Sequence, residues 1–263
     1  MNEQPFHRTT ARVLDIIEAI AASPNAYTLT ELGSYLAAPK SSIFPILQEL
    51  VSRGYLLLGE NGKYSIGIST VRIGNAFMQQ YSFLDEVGKI LQNITNVCME
   101  ASHFAILSGG DVLYLKKANS KEPIRMVSAE GNTMPAYGTA LGKALLLGKS
   151  EDQVKALYPN GLKKITKNTL DNFDALMSQL RKGLSEGFTY EIEESTDYIR
   201  CIAIPVYDTH TNKIVAAISV ATPTFRYTQE KENLIKALLL DGKKKVEGTL
   251  SQLGVDLQDL IQR

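Results

Sequence analysis

The sequence predicts an α+β protein of two domains, a small helical domain followed by a larger one built on a mixed or antiparallel sheet. Three observations support this prediction. The 263 residues are long for one domain and comfortable for two. Apolar residues recur every three or four positions in the first part of the chain. Strand hairpins then alternate with helices, which is typical of a sheet bracketed by helices.

The composition limits the class of protein. Hydrophobic residues make up 44% and charged residues 21%, as in an ordinary soluble globular protein. No run approaches eighteen apolar residues and the N-terminus lacks an apolar signal segment, so we expect no membrane span and a cytoplasmic location. The two cysteines lie far apart and the three histidines lack metal-ligand spacing, so we expect no disulfide, metal site or cofactor.

The stretch from Thr28 to Gly54 organises the first domain. Residues 28–31, Thr-Leu-Thr-Glu, fit a capping box that starts a short helix, and Ala-Ala-Pro at 37–39 ends it. A second helix follows, because apolar residues from Ile43 to Val51 repeat along one face. Two short helices joined by a tight turn indicate a helix-turn-helix, and the alternative is a helical hairpin inside a core.

The elements on either side extend this motif to a winged helix. An amphipathic helix over residues 12–22 precedes it. Two short apolar runs, 55–58 and 63–66, follow around a turn that contains Gly and Asn, and they predict a β-hairpin. A wing supplies a phosphate contact beside a helix in the major groove, so we predict that residues 1–68 bind DNA.

The charge balance disfavours nucleic acid unless the basic residues gather on one surface. Lys plus Arg and Asp plus Glu both number 28, whereas DNA-binding domains often carry a strong basic excess. Placement can compensate, because basic residues fall on an N-terminal arm, at helix starts and in the hairpin. The predicted DNA-binding residues are Arg8, Arg12, Thr28, Lys40, Ser41, Ser42, Phe44 and Lys63.

The pattern after residue 68 predicts a helical linker over 69–81 and a second domain over 82–263. A helical linker transmits orientation, whereas a Gly/Ser linker would not. The predicted elements of the second domain are helices over 83–101, 138–147, 172–186 and 228–253, and strands over 103–107, 112–116, 124–127, 189–191, 201–207 and 214–221.

Segments in order along nearly the whole chain resemble the IclR family of transcription regulators. In the first domain these are RVLDII at 12–17, LTEL at 29–32, PKSSI at 39–43 and LVSRGYL at 50–56. In the second domain these are MPAYGTALGKA at 134–144, GF at 187–188, EE at 193–194, RCIAIPV at 200–206 and AISV at 217–220.

The resemblance implies a winged-helix DNA-binding domain and a GAF-like effector-binding domain, in dimers that often pair into tetramers. We therefore expect a homodimer or tetramer that binds a palindromic operator in double-stranded DNA. We also expect control by a small anionic metabolite, a carboxylate or a sugar acid. Repression and activation both remain open.

The predicted effector site lies where a helix begins. Residues 137–142, Tyr-Gly-Thr-Ala-Leu-Gly, open that helix, and a helix N-terminus presents amides that suit a carboxylate. The alternative is tight packing of small residues against the sheet. The resemblance favours a ligand site, with Met134 and Ile106 as one apolar wall. The predicted effector-binding residues are Ile106, Met134, Tyr137, Gly138, Thr139, Ala140, Leu141, Glu191, Cys201 and Ser219.

One position departs from the family pattern. The family usually carries a basic or hydrogen-bonding residue where this chain has Pro45, after Phe44. Proline removes a backbone donor and cannot contact a base edge as arginine would. A helix capped at Ser41 tolerates Pro45 in its first turn, whereas one that starts at Pro39 holds it in the interior at a cost of about 3 kcal/mol.

Two other functions stay open. An enzyme would use Cys201 or Glu191, but a nucleophilic cysteine needs a base such as His103 or His210. A winged helix that binds protein is the second alternative, because residues 1–75 carry six basic and six acidic residues and so have no net charge. Three further charged residues are expected to face solvent: Lys143, Glu193 and Glu194.

Overall fold

A computed structural model of the chain describes residues 7–80, 83–124, 129–255 and 257. The chain divides into two compact units, residues 1–80 and residues 81–263. Within the described ranges, no helix combines the length and the apolar character that crossing a membrane requires.

The first unit packs three helices and a two-stranded hairpin around a small apolar core. Ile16, Ile20, Leu32, Ile43 and Leu47 are fully buried there, as the helical spacing of these residues predicts. The elements are α1 (Arg8–Ala22), α2 (Leu29–Tyr35), α3 (Lys40–Ser52), β1 (Leu56–Leu58), β2 (Tyr64–Ile66) and α4 (Ser69–Gln80).

The capping box predicted at the start of α2 is confirmed. The Thr28 amide donates to Oε2 of Glu31 at 2.7 Å, and Thr28 Oγ1 accepts from the Glu31 amide at 3.4 Å. Two amides that the helix cannot satisfy are bonded in this way. Local sequence alone therefore determines where α2 begins.

Two glycines allow the chain to cross itself at the base of the wing. Gly54 has a φ of 73°, in the left-handed region that favours glycine. A Cβ on Gly67 would lie 2.2 Å from the carbonyl oxygen of Gly54. Gly67 donates to the Tyr55 carbonyl at 2.7 Å, and Ser69 donates to the Gly54 carbonyl at 2.9 Å. This crossing fixes the wing beside the end of α3.

The second unit is built on an antiparallel sheet whose six strands lie in the order β5-β4-β3-β8-β7-β6. A 3₁₀ turn at Ala136–Gly138 leads into α6. The elements are α5 (Phe83–Cys98), β3 (Ala101–Ser108), β4 (Asp111–Ala118), β5 (Thr133–Pro135), α6 (Ala140–Leu146), α7 (Glu151–Leu157), α8 (Phe173–Glu186), β6 (Thr189–Ile192), β7 (Ile199–Tyr207), β8 (Ile214–Pro223) and α9 (Gln229–Leu253).

Helices cover both faces of this sheet. On one face α5 and α9 pack together, and the rings of Phe83 and Phe104 meet at 6.3 Å. On the other face α6 lies against the central strands, so that Ala140 and Ala144 share a buried cluster with Ala105 of β3. Because both faces are covered, the central strands are apolar along most of their length rather than alternating. The predicted α+β class with an antiparallel sheet is confirmed.

Some predicted boundaries are wrong. Helix α1 begins at Arg8 rather than Arg12, so Arg8 lies in the first turn of a helix and not on an arm. The short strand β5 and helix α7 were not predicted, and β5 spans three residues of which one is proline. The predicted strand over 124–127 falls largely on residues 125–128, which lie outside the described residues.

Pro45 lies inside helix α3. The helix begins at Lys40 after Pro39, so Pro45 is its sixth residue, and α3 continues unbroken through it. The amide that Pro45 lacks would have donated to the carbonyl of Ser41. Both residues are exposed, so water can satisfy that carbonyl. The helix thus continues with one missing bond on its solvent side.

We predict that Pro45→Ala stabilises α3. The substitution restores one helical hydrogen bond and removes a clash, which together are worth up to about 3 kcal/mol. Amide hydrogen exchange in the full chain should show stronger protection over residues 46–50. Lys40→Ala, an exposed change in the same helix, should leave this protection within about 0.5 kcal/mol. Weaker protection in the Pro45→Ala variant would show that the helix depends on the proline.

Candidate functional site

One face of α3 is exposed and carries the residues that can reach a base edge. Ser41, Phe44, Pro45 and Gln48 lie on this face at helical spacing, and Phe44 is 44% exposed. Lys40 is exposed at the start of the same helix. The structure therefore brings the predicted residues Lys40, Ser41 and Phe44 to one surface.

Gln48 is the residue of this face that sequence reasoning missed. It lies seven positions after Ser41 and four after Phe44, so the helical period alone would have found it. A glutamine can bond bidentately to adenine in the major groove.

Two predicted DNA-binding residues bond to each other instead of facing outward. Arg12 Nη1 donates to Ser42 Oγ at 3.0 Å, and Ser42 Oγ donates to the Pro39 carbonyl at 2.7 Å. The pair joins α1 to the first turn of α3. The Ser42 hydroxyl therefore helps to hold α3 in position, and its contact with a base stays a prediction.

The other predicted contacts are spread along the edge of the unit. Thr28 uses its hydroxyl in the cap of α2, where it donates to Glu31 Oε2 at 2.7 Å. Lys63 pairs with Thr28 in an isolated backbone bridge, so the wing is attached at the start of α2. Arg8 is exposed in the first turn of α1. Of these residues, Arg8 and Lys63 keep charged groups that suit phosphate.

The predicted effector residues converge on a small cavity between α6 and the sheet. The cavity measures about 10 Å³, room for about one water molecule. It brings together five predicted residues and three others. It is lined by Thr139, Ala140, Leu141, Cys201 and Ser219, and by His103, Tyr114 and Ser195.

A close approach of backbone fixes the start of α6 at this cavity. A Cβ on Gly142 would lie 2.1 Å from the carbonyl oxygen of Ala136, so only glycine fits there. Thr139 caps the helix, because its Oγ1 accepts from the Gly142 amide at 2.9 Å. The amides of Ala140 and Leu141 have no carbonyl within the helix to bond. The sequence therefore presents two amide donors at this point.

Glu191 carries an unsatisfied buried oxygen beside the cavity. Its side chain is fully buried, and Oε1 accepts from the amides of Glu194 and Ser195 at 2.6 and 2.9 Å. Among the described residues, Oε2 accepts no bond from a nitrogen or oxygen donor, while the Cys201 thiol lies close enough to donate weakly to this carboxylate. Burial raises the pKa of Glu191, although the bonds from the Ser195 and Glu194 amides and from Cys201 oppose that shift. A thiol is a weak donor, so this buried oxygen favours a ligand that carries a stronger one.

Cys201 faces Glu191 across the β6–β7 ladder. Burial, and then the nearby Glu191 carboxylate, raise the pKa of the Cys201 thiol well above its usual value. The residue is therefore a neutral thiol rather than a nucleophilic thiolate. His210 lies exposed in the turn between β7 and β8, so it is not a base for this cysteine.

Lys143 and Glu194, predicted to be solvated, form a buried ion pair. Lys143 is 1% exposed, and its Nζ lies 2.6 and 2.7 Å from the two carboxylate oxygens of Glu194. It also donates to Gln179 Oε1 at 2.6 Å and to the Tyr190 carbonyl at 3.0 Å. Burial lowers the pKa of Lys143, and attraction to Glu194 opposes this. Helix α6 is thereby tied to α8, to β6 and to the loop after β6.

Ile106 is not on the effector side of the sheet. Its neighbours Ala105 and Leu107 belong to the cluster under α6, and side chains alternate along a strand, so Ile106 points to the opposite face. Met134 packs against the α6 cluster and accepts a hydrogen bond from Tyr114. Ile106 therefore does not form a wall with Met134, and the contact of Met134 with an effector stays a prediction.

Tyr137 and Gly138 lie beside the cavity rather than in it. Tyr137 donates to the Lys163 carbonyl at 2.7 Å and packs edge-on against Tyr158 at 5.0 Å. A Cβ on Gly138 would lie 2.9 Å from Ile165 Cδ1. Both residues hold the segment 158–169 over the start of α6.

His103 is the cavity residue whose role the sequence left undefined. Its ring is buried and packs edge-on against Tyr114 at 5.5 Å. Burial lowers the pKa of His103 to about 4, with a smaller contribution from Lys117, so the ring is neutral near pH 7. His103 is opposite Ser219 in the β3–β8 register, a pairing that only the sheet topology reveals.

The chain matches two family models that together cover most of its length. A model described as bacterial transcriptional regulator IclR C-terminal matches residues 76–247, and the IclR helix-turn-helix domain matches residues 9–57. The transcriptional repressor IclR of Escherichia coli (strain K12) is 29% identical over 243 residues, 91% of this chain and 88% of the relative. The regulator KdgR of the same organism is 27% identical over 241 residues, 91% of each chain.

A solved structure shows the same fold. An IclR homolog from Microbacterium hydrocarbonoxydans, complexed with 4-hydroxybenzoate, aligns with a TM-score of 0.75 at 19% identity over 93% of this chain and 99% of that one. These relatives are regulators, and none of the comparisons supports an enzyme or a protein-binding winged helix. The chain belongs to the IclR family, DNA-binding transcription regulators whose C-terminal domain binds a small-molecule effector.

Proposed function

We propose that the chain binds a palindromic operator as a dimer, with α3 of each protomer in the major groove of one half-site. The exposed row of Ser41, Phe44 and Gln48 carries this proposal, because it is the face of α3 that is not buried in the core. Lys40, Arg8 and Lys63 supply phosphate contacts beside it. Phe44 contacts the methyl group of a thymine.

The cytoplasm is the proposed location of this DNA-binding activity.

Dimers that pair into tetramers are the proposed assembly. Exposed apolar side chains on the first unit support an assembly. Leu14 on α1, Ile68 before α4, and Val71 and Ile73 on α4 are all about half exposed or more. A second copy that covered them would remove this apolar surface from water.

The proposed effector is a small hydroxy acid or sugar acid. The amides of Ala140 and Leu141 suit its carboxylate. The unsatisfied Oε2 of Glu191 suits a hydroxyl donor, and Cys201 and Ser219 add neutral polar contacts. A cavity of about 10 Å³ cannot hold such a molecule, so the loop that carries Ser195 must move on binding.

Effector binding is proposed to alter the spacing of the two DNA-binding heads. In this proposal residues 1–68 bind DNA, the helix over 69–81 links the domains, and residues 82–263 bind the effector. Helix α4, over Ser69–Gln80, supports the transmission of orientation. The coupling requires that the effector bind one arrangement more tightly than the other.

We predict that Gln48→Ala weakens binding to an operator selected from a random duplex pool. Loss of one bidentate base contact costs about 1–3 kcal/mol, or roughly 5- to 150-fold in Kd. The dependence of Kd on salt should not change, because no phosphate contact is lost. Electrophoretic mobility shifts over a salt series measure both quantities.

Lys40→Ala is the matched control in the same helix. It should weaken binding to the selected operator and to unrelated duplexes equally. It should also reduce the slope of log affinity against log salt concentration by about one. Equal affinity of wild type and Gln48→Ala for the selected operator would remove Gln48 from the interface.

We predict that Glu191→Gln abolishes recognition of the effector hydroxyl without loosening the loop. Glutamine keeps an Oε1 that can accept from Glu194 and Ser195, but it turns the unsatisfied acceptor into a donor. Calorimetry should show glycerate binding weakened more than tenfold, whereas propionate, which lacks the hydroxyls, should bind both proteins equally weakly. Equal loss for both acids would mean that Glu191 does not read a hydroxyl.

A further inference from the structure

A second cavity surrounds the edge strand β6 and is far larger than the effector cavity, at about 680 Å³. Part of it lies on the side of helix α9. Arg200 points to that side, because its neighbours Ile199 and Cys201 belong to the α6 cluster and side chains alternate along β7. We call this part the α9-side groove, lined by Phe188, Tyr190, Arg200, Tyr227, Glu232 and Lys236. The remainder of the cavity lies on the α6 side and reaches the effector site, because Lys143, Glu191, Glu194 and Cys201 also line it.

Arg200 is the cation of this cavity that lacks a counter-ion. Four cationic side chains line the cavity. Three of them face a carboxylate: Lys143 faces Glu194 at 2.6 Å, Lys182 faces Glu186 at 3.8 Å, and Lys236 faces Glu232 at 2.6 Å. In the part of the chain that the structure describes, Arg200 has no ion pair within 4.0 Å.

Glu232 is attracted to Arg200 but bonds to other groups. It accepts from Lys236, and its Oε2 also accepts from the hydroxyl of Tyr227 at 2.9 Å. Arg200 and Lys236 against Glu232 leave the groove itself with one positive charge. The whole cavity is balanced, because Glu186, Glu191 and Glu194 line its remainder.

Two buried polar atoms on this face, on adjacent strands, lack hydrogen-bond partners. Arg200 and Thr222 are opposite each other in the β7–β8 register. Within the described residues, neither Arg200 Nε nor Thr222 Oγ1 has a hydrogen-bond partner, although both atoms are buried. A carboxylate can bond bidentately along the edge of a guanidinium group. Burying the Nε–H of Arg200 without an acceptor costs free energy, and an anion bound to Arg200 would supply that acceptor.

Aromatic rings form the walls of the groove. The guanidinium carbon of Arg200 lies 5.1 Å from the ring centre of Tyr227. Lys236 Nζ lies 5.8 Å from the ring of Phe188 and 5.3 Å from the ring of Tyr190. Such stacking holds the guanidinium in one orientation and offers flat apolar surfaces to a ligand.

We propose that the α9-side groove is a second ligand site, on the opposite face of the sheet from the effector cavity, which takes a flat aromatic monocarboxylate. Arg200 binds the carboxylate through two parallel N–H donors. Phe188 and Tyr190 contact the ring of the ligand. Glu191 and Arg200 line one cavity that wraps around the edge strand β6, but they point to opposite faces of the sheet, so a ligand on Arg200 does not need Glu191.

Calorimetry of the full chain with benzoate tests this proposal. Wild type should bind benzoate saturably at millimolar concentration, and benzamide, its neutral counterpart, at least tenfold more weakly. Arg200→Gln should weaken benzoate binding more than tenfold. Arg200→Lys keeps the positive charge but loses the two parallel N–H donors. Its affinity for benzoate should therefore lie between those of wild type and Arg200→Gln. Lys182→Gln, on the rim of the same cavity, should leave benzoate affinity unchanged.

The proposal is overturned by several distinct outcomes. They are absence of saturable benzoate binding to wild type, equal affinity for benzamide, and wild-type affinity in both Arg200 variants. Loss of binding in Glu191→Gln alone would assign benzoate to the effector cavity instead. If Arg200→Gln does not fold, Arg200→Lys and the benzamide comparison still decide the outcome.

Discussion

The buried ammonium group of Lys143 is the interaction on which the effector site depends. It joins the helix that opens the site to α8, to the edge strand β6 and to the loop that carries Glu194. Removing one partner of such a pair leaves an uncompensated buried charge, at a cost of about 3–5 kcal/mol. Replacing both partners by apolar groups need not destabilise the fold. The Lys143–Glu194 pair therefore fixes one arrangement of the loop after β6, in addition to any contribution to stability.

This arrangement is a closed one. The loop after β6 is held on one side by the Glu191 carboxylate, which accepts from the Glu194 amide. It is also held by the hydroxyls of Thr166 and Thr169, which donate to the carbonyls of Glu193 and Glu194, respectively, at 2.6 Å each. Glu193 has a φ of 57°, a conformation that costs a non-glycine residue free energy and persists because its surroundings hold it. A ligand that opens the cavity must offset these bonds, so its differential affinity for the open state sets the strength of regulation.

Local sequence predicted the elements well, because caps, turns and apolar periods are local signals. The capping box at Thr28 and most helices and strands followed from them. The functional sites were harder to predict from the sequence. Lys143 and Glu194 were expected in solvent, since only the packing of α6 between two other elements buries them. Ile106 was placed on the wrong face of the sheet, because which face a strand residue occupies depends on how the strand packs against its neighbours. Gln48 was missed although it lies at helical spacing from Ser41 and Phe44.

Hydrogen exchange at the amides of Glu194 and Ser195 tests the central role of Lys143 most directly, because both amides donate to Glu191 inside the closed loop. In Lys143→Met we expect these two amides to lose protection more than tenfold, while the central strands β3 and β8 retain theirs. Unchanged protection of the two amides would contradict the proposed role of Lys143. A loss spread evenly over the whole sheet would contradict it as well, because the ion pair would then support the fold and not the loop.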